Sequence, residues 1–251
     1  MLYAVVRLAC LAVFRLGFRI RAFGRDNVPR QGPLLLASNH VSLLDPPVVG
    51  TAAPRPLHYM AKAELFRVPI LGGLIRRLNA HPVEREGSDA GALRQALSLL
   101  EAGGALLVFP EGTRGVEGRL GTARPGTGML AALSDAPVVP VYIQGTGRVL
   151  PRGASRPRTG RISVWYGPPL RFPRARGRER YQEISDEIMA AIGRLKVEAE
   201  RTGTSRPAYA ATTDSAIVGA PAVGVDGRTV GPRRSGSDET AAGGVPAREI
   251  H

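Results

Sequence analysis

The hydrophobic positions of this 251-residue chain fall into short apolar runs that alternate with amphipathic or polar stretches. Apolar runs of about four to eight residues bounded by turn residues are typical of buried strands, and a 3.6-residue repeat is typical of helices. The predicted strands are Pro33–Ala37, Pro56–Met60, Asn79–Arg85, Ala105–Phe109, Pro137–Gln144 and Arg161–Tyr166. The predicted helices begin at Asp45 and Ala61 and span Ser88–Ala102, Gly128–Ser134 and Arg178–Glu200. This alternation predicts one α/β domain with a central mixed sheet flanked by helices.

Residues 1–24 are predicted to be a membrane-associating helical segment. The stretch Met1–Ile20 is apolar but is interrupted by Arg7, Arg15 and Arg19, so it lacks the roughly 20 uncharged residues of a spanning helix. The three arginines lie near one side of a helical wheel, which favours an interfacial amphipathic helix whose arginines reach lipid phosphates. The alternative is a helix packed on the protein's own core.

The C-terminal segment differs in composition from the rest of the chain. Gly203–His251 is rich in glycine, alanine, proline and threonine and shows no hydrophobic periodicity. Such a segment lacks the apolar content needed to join a core, so it is predicted to be a disordered tail. The predicted domain therefore occupies residues 25–202.

The net charge of +13 narrows the classes of partner. The tail is neutral, so the whole excess lies in the first 202 residues, and Arg148–Arg180 holds ten arginines but a single acid. Such a basic body suits an anionic membrane surface, a phosphorylated substrate or a nucleic acid. Aromatic residues for base stacking are sparse in this run, which favours lipid head-groups over nucleic acid. The single Cys10 excludes an internal disulfide and forms no metal-site pattern.

Candidate chemistry first appears in Ser38–Asp45, between a predicted strand and a predicted helix. His40 and Asp45 would lie roughly 140° apart on one helix. They can meet if His40 sits in the loop and Asp45 is the N-cap of the helix. The carboxylate could then accept one imidazole N–H and leave the other nitrogen free as a base. On its own, the pair could equally be a loop histidine beside an ordinary N-cap aspartate.

A second motif, Phe109-Pro110-Glu111-Gly112-Thr113-Arg114, follows a later apolar run. Together with Asn39, His40 and Asp45 it resembles the glycerophospholipid acyltransferase family, whose commonest members are 1-acylglycerol-3-phosphate acyltransferases. The family's N-H-x₄-D block and its F-P-E-G-T-R block match at every position. Its second block, an arginine that ends a short strand, matches loosely at Arg85, and its fourth matches around Pro140. All four blocks occur in the family's order.

The resemblance implies transfer of a fatty acyl group from acyl-CoA or acyl-carrier protein to a lysophospholipid hydroxyl. The first expectation for the acceptor is 1-acylglycerol-3-phosphate, which would give phosphatidic acid. His40 would be the general base, and Asp45 would hold its tautomer and stabilise the imidazolium. No metal, cofactor or acyl-enzyme is expected. The implied location is the cytoplasmic face of the cell membrane, with peripheral or monotopic attachment.

The remaining candidate residues concern the acceptor's phosphate. Arg114 and Arg85 are expected to bind it through charge-assisted hydrogen bonds. Glu111, Gly112 and Thr113 of the second motif are expected to shape the phosphate pocket. Asn39 and Lys62 are two further candidate site residues. A glycine turn with a surface Glu–Arg pair, and a solvated lysine at a helix start, are the structural alternatives.

Three other functions stay open from the sequence. The acceptor could be a different glycerolipid or lysolipid, because the two motifs do not distinguish among these. A thioesterase would use water as acceptor, but the phosphate-binding arginines would then serve no purpose. A non-enzymatic basic protein that binds membranes or nucleic acid would not need the histidine motif. No nucleic acid partner is therefore expected.

Overall fold

The structure is a computed structural model that describes residue 12 and residues 17–83 and 89–202. Seven strands form one sheet: β1 (Arg21–Phe23), β2 (Leu34–Ser38), β3 (His58–Lys62), β4 (Ala80–Val83), β5 (Ala105–Val108), β6 (Val138–Gln144) and β7 (Ser163–Tyr166). The order across the sheet is β1-β7-β6-β2-β5-β3-β4. Six α-helices connect or cover these strands: α1 (Asp45–Ala52), α2 (Leu71–Arg77), α3 (Asp89–Glu101), α4 (Pro125–Ser134), α5 (Thr146–Val149) and α6 (Arg178–Thr202). Short 3₁₀ turns occur at Arg25–Asn27 and Ala63–Arg67.

The sheet is mixed, as predicted. Strands β6, β2, β5, β3 and β4 are parallel to one another, β7 is antiparallel to β6, and β1 is parallel to β7. The five mutually parallel strands therefore end at one edge, which we call the carboxyl edge. In open α/β sheets, ligands bind in the crevice outside this edge. Both sequence motifs directly follow strands that end there.

The hydrophobic core lies on both faces of the sheet, and the central strand β2 contributes to both sides. All five residues of β2 are buried, and the four apolar ones alternate between the two hydrophobic clusters of the described residues. Leu34 and Leu36 face one cluster, whereas Leu35 and Ala37 face the cluster that α6 completes. This two-sided burial explains why the strand reads as a continuous apolar run rather than as an alternating one.

The first strand was not predicted from the sequence. Residues 21–23 pair with β7 through the register Arg21–Ser163 and Phe23–Trp165, so this part of the segment 1–24 belongs to the sheet. The strand has three residues and no buried one, so it leaves no apolar run to detect. Arg7 and Arg15 of the predicted interfacial helix lie outside the described residues, as does the predicted tail. In the part that is described, no helix is long and apolar enough to cross a membrane.

The predicted basic rim Arg148–Arg180 does not run along one side of the molecule. Its first five arginines precede β7 at the carboxyl edge. The chain then crosses to the opposite edge, where Leu170 pairs with Val138 at the start of β6. The portion before β7 therefore shares an edge with the two motifs, whereas Leu170 lies at the opposite edge.

Candidate active site

The loop after β2 is fixed to its neighbour strand by Asn39. This side chain is buried; its Nδ2 donates to the Ile143 carbonyl (3.0 Å) and its Oδ1 accepts from the Ile143 N–H (2.8 Å). The amide group thus imitates a strand residue and extends the β2–β6 pairing beyond the end of β2. The position of the next residue, His40, is set by this anchor.

His40 and Asp45 are in direct contact. The distance from His40 Nδ1 to Asp45 Oδ2 is 2.8 Å, and the two side chains are 17% and 0% exposed. A carboxylate can only accept, so Nδ1 carries the proton and the neutral ring presents its Nε2 lone pair. The pair therefore has the geometry of a base held in one tautomer.

Asp45 is not an N-cap, and that part of the prediction is wrong. Leu44 occupies the cap position, Asp45 is the first residue of α1, and Pro46 and Pro47 follow it. Since prolines have no N–H, the first turn has few donors for a capping side chain. The Asp45 carboxylate instead turns back over the loop, where Oδ2 also accepts from the N–H groups of Val41 (2.6 Å) and Ser42 (2.8 Å).

The motif after β5 encloses His40 from the other side. The Phe109 ring stacks on the imidazole, with ring centroids 4.0 Å apart and an interplanar angle of 18°. Glu111 is 5% exposed; its Oε1 accepts from the His40 backbone N–H (3.2 Å) and its Oε2 from the Gly121 N–H (3.0 Å). The Gly115 N–H donates to the His40 carbonyl at 2.7 Å. The two sequence motifs are thus one hydrogen-bonded unit.

Gly112 is the position in this motif that requires glycine. Its φ of 66° lies in the left-handed region, which residues with a Cβ rarely adopt. A Cβ there would also approach the Arg124 side chain, at 2.8 Å from its Cδ. Because glycine has no Cβ, the backbone can turn sharply at this position. Gly112 and Thr113 are exposed after this turn, at the carboxyl edge.

The candidate phosphate-binding cations are only partly placed. Arg114 is half-buried, and its side chain has no hydrogen bond or ion pair with any described residue. Lys62 is exposed at the carboxyl end of β3, paired in register with Val83 of β4. Arg85 lies two residues beyond Val83, outside the described residues. The structure brings His40, Asp45 and Glu111 into contact and leaves Arg114 available for an anion.

Glu117 is a loop-fixing residue that sequence reasoning missed. Its two carboxylate oxygens accept from the N–H groups of Gly145 and Gly147, both at 2.8 Å. These bonds tie the loop after β5 to the turn that begins α5. No motif spacing identifies such a contact. No group of three or more His, Cys, Asp or Glu side chains within residues 12, 17–83 and 89–202 is placed to hold a metal ion.

The family profile described as acyltransferase matches residues 19–144. This range covers half of the chain and includes every element of the site described above, from Asn39 to Glu117. The chain therefore belongs to the acyltransferase family, as the two motifs predicted.

Several relatives share this similarity over part or most of their length. A chloroplastic 1-acyl-sn-glycerol-3-phosphate acyltransferase, LPAT1 of Arabidopsis thaliana, is 31% identical over 55% of this chain, which spans 39% of that protein's length. The 1-acyl-sn-glycerol-3-phosphate acyltransferase of Bacillus subtilis is 26% identical over 70% of this chain and 88% of its own length. The crystal structure of PlsC, the 1-acyl-sn-glycerophosphate acyltransferase of Thermotoga maritima, superposes with a TM-score of 0.63 at 26% identity. That match covers 77% of this chain and 81% of PlsC, which agrees with the α/β fold described here.

Proposed function

We propose that this protein is an O-acyltransferase that moves a fatty acyl group from a thioester to the hydroxyl of 1-acylglycerol-3-phosphate, giving phosphatidic acid. The observation that carries the proposal is the 2.8 Å contact between His40 Nδ1 and Asp45 Oδ2, next to the exposed turn that ends in Arg114. The names of the relatives support this acceptor. The donor is acyl-CoA or acyl-carrier protein.

The reaction needs one base, because the thioester carbonyl is already activated. The acceptor hydroxyl gives its proton to His40 Nε2 as its oxygen attacks the carbonyl carbon. The C–S bond then breaks, and the departing thiolate takes the same proton back from the imidazolium. Asp45 stabilises the imidazolium between these steps. No covalent acyl-enzyme forms, and the chemistry consumes no cofactor.

Recognition of the phosphate is assigned to Arg114, with Arg85 as the second cation and Lys62 as a further candidate. Arg114 is suited to this role because no described acid pairs with it. Gly112 allows the backbone to approach the phosphate closely, and the Thr113 hydroxyl can donate to it.

Glu111 receives a different role from the one expected at first. A carboxylate would repel a phosphate, and both of its oxygens already accept backbone N–H groups. We therefore assign it to positioning His40. Asn39 has the same kind of role, because its amide is fully occupied by the Ile143 backbone.

The acceptor is a membrane lipid, so the protein is proposed to act on a membrane surface as a peripheral or monotopic protein, at the cytoplasmic face. The position at which β1 begins supports a membrane contact on the side of the active site. Arg21 pairs with Ser163, which pairs with Gln144 at the carboxyl end of β6. The N-terminal segment therefore leads into the domain at the same edge that carries His40.

The test is an acyl-transfer assay with the purified full chain in detergent. Labelled acyl-CoA and acyl-carrier protein are each offered 1-acylglycerol-3-phosphate, lysophosphatidylcholine, glycerol 3-phosphate or water alone, with the products separated by lipid chromatography. We expect labelled phosphatidic acid, formed roughly 10²–10⁴-fold more slowly by the His40→Ala protein. Free fatty acid without any acyl lipid would contradict the proposal and indicate a thioesterase.

A further inference from the structure

Exposed apolar side chains are unevenly distributed over the molecule. Seven large hydrophobic residues are exposed in the described part of the chain, and six of them are in connections that follow β2, β3 or β5, which are strands that end at the carboxyl edge. These six are Leu43, Leu65, Val68, Ile70, Leu74 and Val116, whereas the seventh, Val197, lies on α6. Single exposed hydrophobics are ordinary, but several on one edge mark an interaction surface.

Four of the six belong to the connection between β3 and β4. We call Leu65, Val68, Ile70 and Leu74 the β3–β4 apolar surface. The connection is folded, because the Gly72 N–H donates to the Val68 carbonyl (2.9 Å) and the Leu74 N–H donates to the Ile70 carbonyl (3.0 Å). Phe66 is buried beneath it. The surface is thus presented by an ordered turn on the protein.

Ile70 is the residue that the fold explains least. Its side chain is 91% exposed, so packing within the protein does not account for it. Its φ of 66°, with a ψ of −54°, favours glycine and is a rare outlier for a β-branched residue. Solvent and backbone both disfavour isoleucine here, which points to an apolar partner outside the described chain.

The charges around the surface indicate what that partner is. Arg67, Arg76 and Arg77 are exposed in the same connection, against the single acid Glu64. The run of five arginines that precedes β7 lies at the same sheet edge. Apolar side chains flanked by arginines match the acyl boundary and the anionic head-groups of a bilayer. A second copy of the same basic surface would be repelled by it.

We propose that the β3–β4 apolar surface inserts into an anionic lipid bilayer and so holds the carboxyl edge, with His40, against the membrane. Ile70 is the deepest residue, and the adjacent arginines contact lipid phosphates. The inference rests on the proposed function in one respect, namely that the acceptor is a lipid of that bilayer. It adds a membrane contact to the one expected of the N-terminal segment.

The first experiment measures binding of the full chain to phosphatidylcholine vesicles with and without phosphatidylglycerol. Ile70→Asn replaces an apolar side chain on a residue that is 91% exposed, so the variant should fold as well as the wild type. We expect its partition to anionic vesicles to fall about 10- to 100-fold, as befits the loss of one inserted isoleucine. The matched control Val197→Asn should bind within about twofold of wild type, since that residue lies on α6, outside the connections that carry the other exposed hydrophobic residues. Wild-type binding by Ile70→Asn would overturn the proposal.

A second measurement separates this inference from the proposed function. Acyl transfer to a short-chain acceptor below its micellar concentration should be unchanged in Ile70→Asn, whereas transfer to a vesicle-embedded acceptor should fall in step with binding. If the wild type acylates no acceptor, the proposed function fails while the vesicle comparison still decides the membrane contact. If Ile70→Asn changes only the sedimentation coefficient and not vesicle binding, the surface joins two copies and the proposal is wrong.

Discussion

The two halves of the sheet differ in how completely they are buried. In β2 every residue is buried, and in β6 every residue but the last is. In β3 and β4 no residue is buried. The buried half carries His40 and its anchors, whereas the exposed half carries the β3–β4 apolar surface and leads to Arg85. Chemistry that needs fixed distances thus resides where packing is dense, and proposed lipid contacts reside where it is not.

The anchors in the buried half are bonds from a side chain in a loop to the backbone of another segment. Asn39 reaches Ile143, Glu111 reaches His40, and Glu117 reaches Gly145. The hydrogen bonds that the carboxylates of Glu111 and Glu117 accept are stronger than those between neutral groups. They hold His40 without any contribution from β3 or β4. The following changes test this division, beginning with the largest expected effect.

Asp45→Asn changes the buried carboxylate that contacts His40. An amide oxygen can still accept from the loop N–H groups, so the fold should persist, but a neutral amide cannot stabilise the imidazolium. We expect kcat to fall about 10²-fold or more, within the range for general-base catalysis. Steady-state kinetics would measure this, with Asp186→Asn on the exposed face of α6 as the matched control. A kcat within a few-fold of wild type would show that Asp45 has no role in the chemistry.

Arg114→Ala should act on acceptor binding rather than on the chemical step. A charge-assisted hydrogen bond contributes about 1.5–3 kcal/mol, which corresponds to roughly a ten- to hundredfold loss of apparent affinity for the acceptor. Kinetics with varied acceptor at saturating donor would measure it. Arg119→Ala provides the control, since this exposed arginine lies in the same loop. If only the half-saturation for the donor changed, the phosphate site would lie elsewhere.

A pair of Gly→Ala variants compares the halves directly. A Cβ on Gly128 would clash with the Tyr181 carbonyl, where α4 packs on α6, and a Cβ on Gly72 would clash with the Phe66 carbonyl in the β3–β4 connection. We expect Gly128→Ala to lower the free energy of global unfolding by about 1–3 kcal/mol. Gly72→Ala should lower it less and should leave acyl transfer to a monomeric acceptor intact. Denaturant unfolding and acyl transfer to a monomeric acceptor are measured for both variants. Loss of catalysis in a folded Gly72→Ala protein would show that catalysis also depends on the exposed half.

The smallest expected effect is the pH response of the exposed half. His58 Nδ1 lies 3.0 Å from His81 Nε2; burial, and for His58 also the charges of His81 and Arg55, lower the pKa of each. Below about pH 6.5 the unfolded chain binds protons that the folded state resists, so the free energy of unfolding should fall on acidification. Above that pH both rings are neutral in either state and contribute no slope.

Unfolding of wild type and His81→Gln at about pH 7.5 and 5.5 measures this contribution, because the substitution removes one titrating ring. We expect a smaller loss of stability on acidification in the variant. An identical loss in both proteins would mean that the histidine pair does not sense pH.

Much of the buried half was predictable from the sequence. Pro33–Ala37 and Pro137–Gln144 were predicted within one residue of β2 and β6, because strands buried on both faces are continuous apolar runs. In the exposed half, Pro56–Met60 was placed two residues too early, because half-exposed strands give a weaker pattern. The spacing of His40 and Asp45 also predicted their contact. The anchors could not be predicted: Asn39 and Ile143 are 104 positions apart, and no local pattern encodes such a bond.

The central claim is that His40 is the base of an acyl transfer, and the most direct measurement is single-turnover transfer by His40→Ala. The variant should keep the melting temperature and vesicle binding of the wild type, because the ring is partly exposed and its backbone contacts to Glu111 and Gly115 do not need the imidazole. With those controls met, we predict that the rate constant of transfer falls by roughly 10²–10⁴-fold. A rate within a few-fold of wild type in the folded variant would contradict the account.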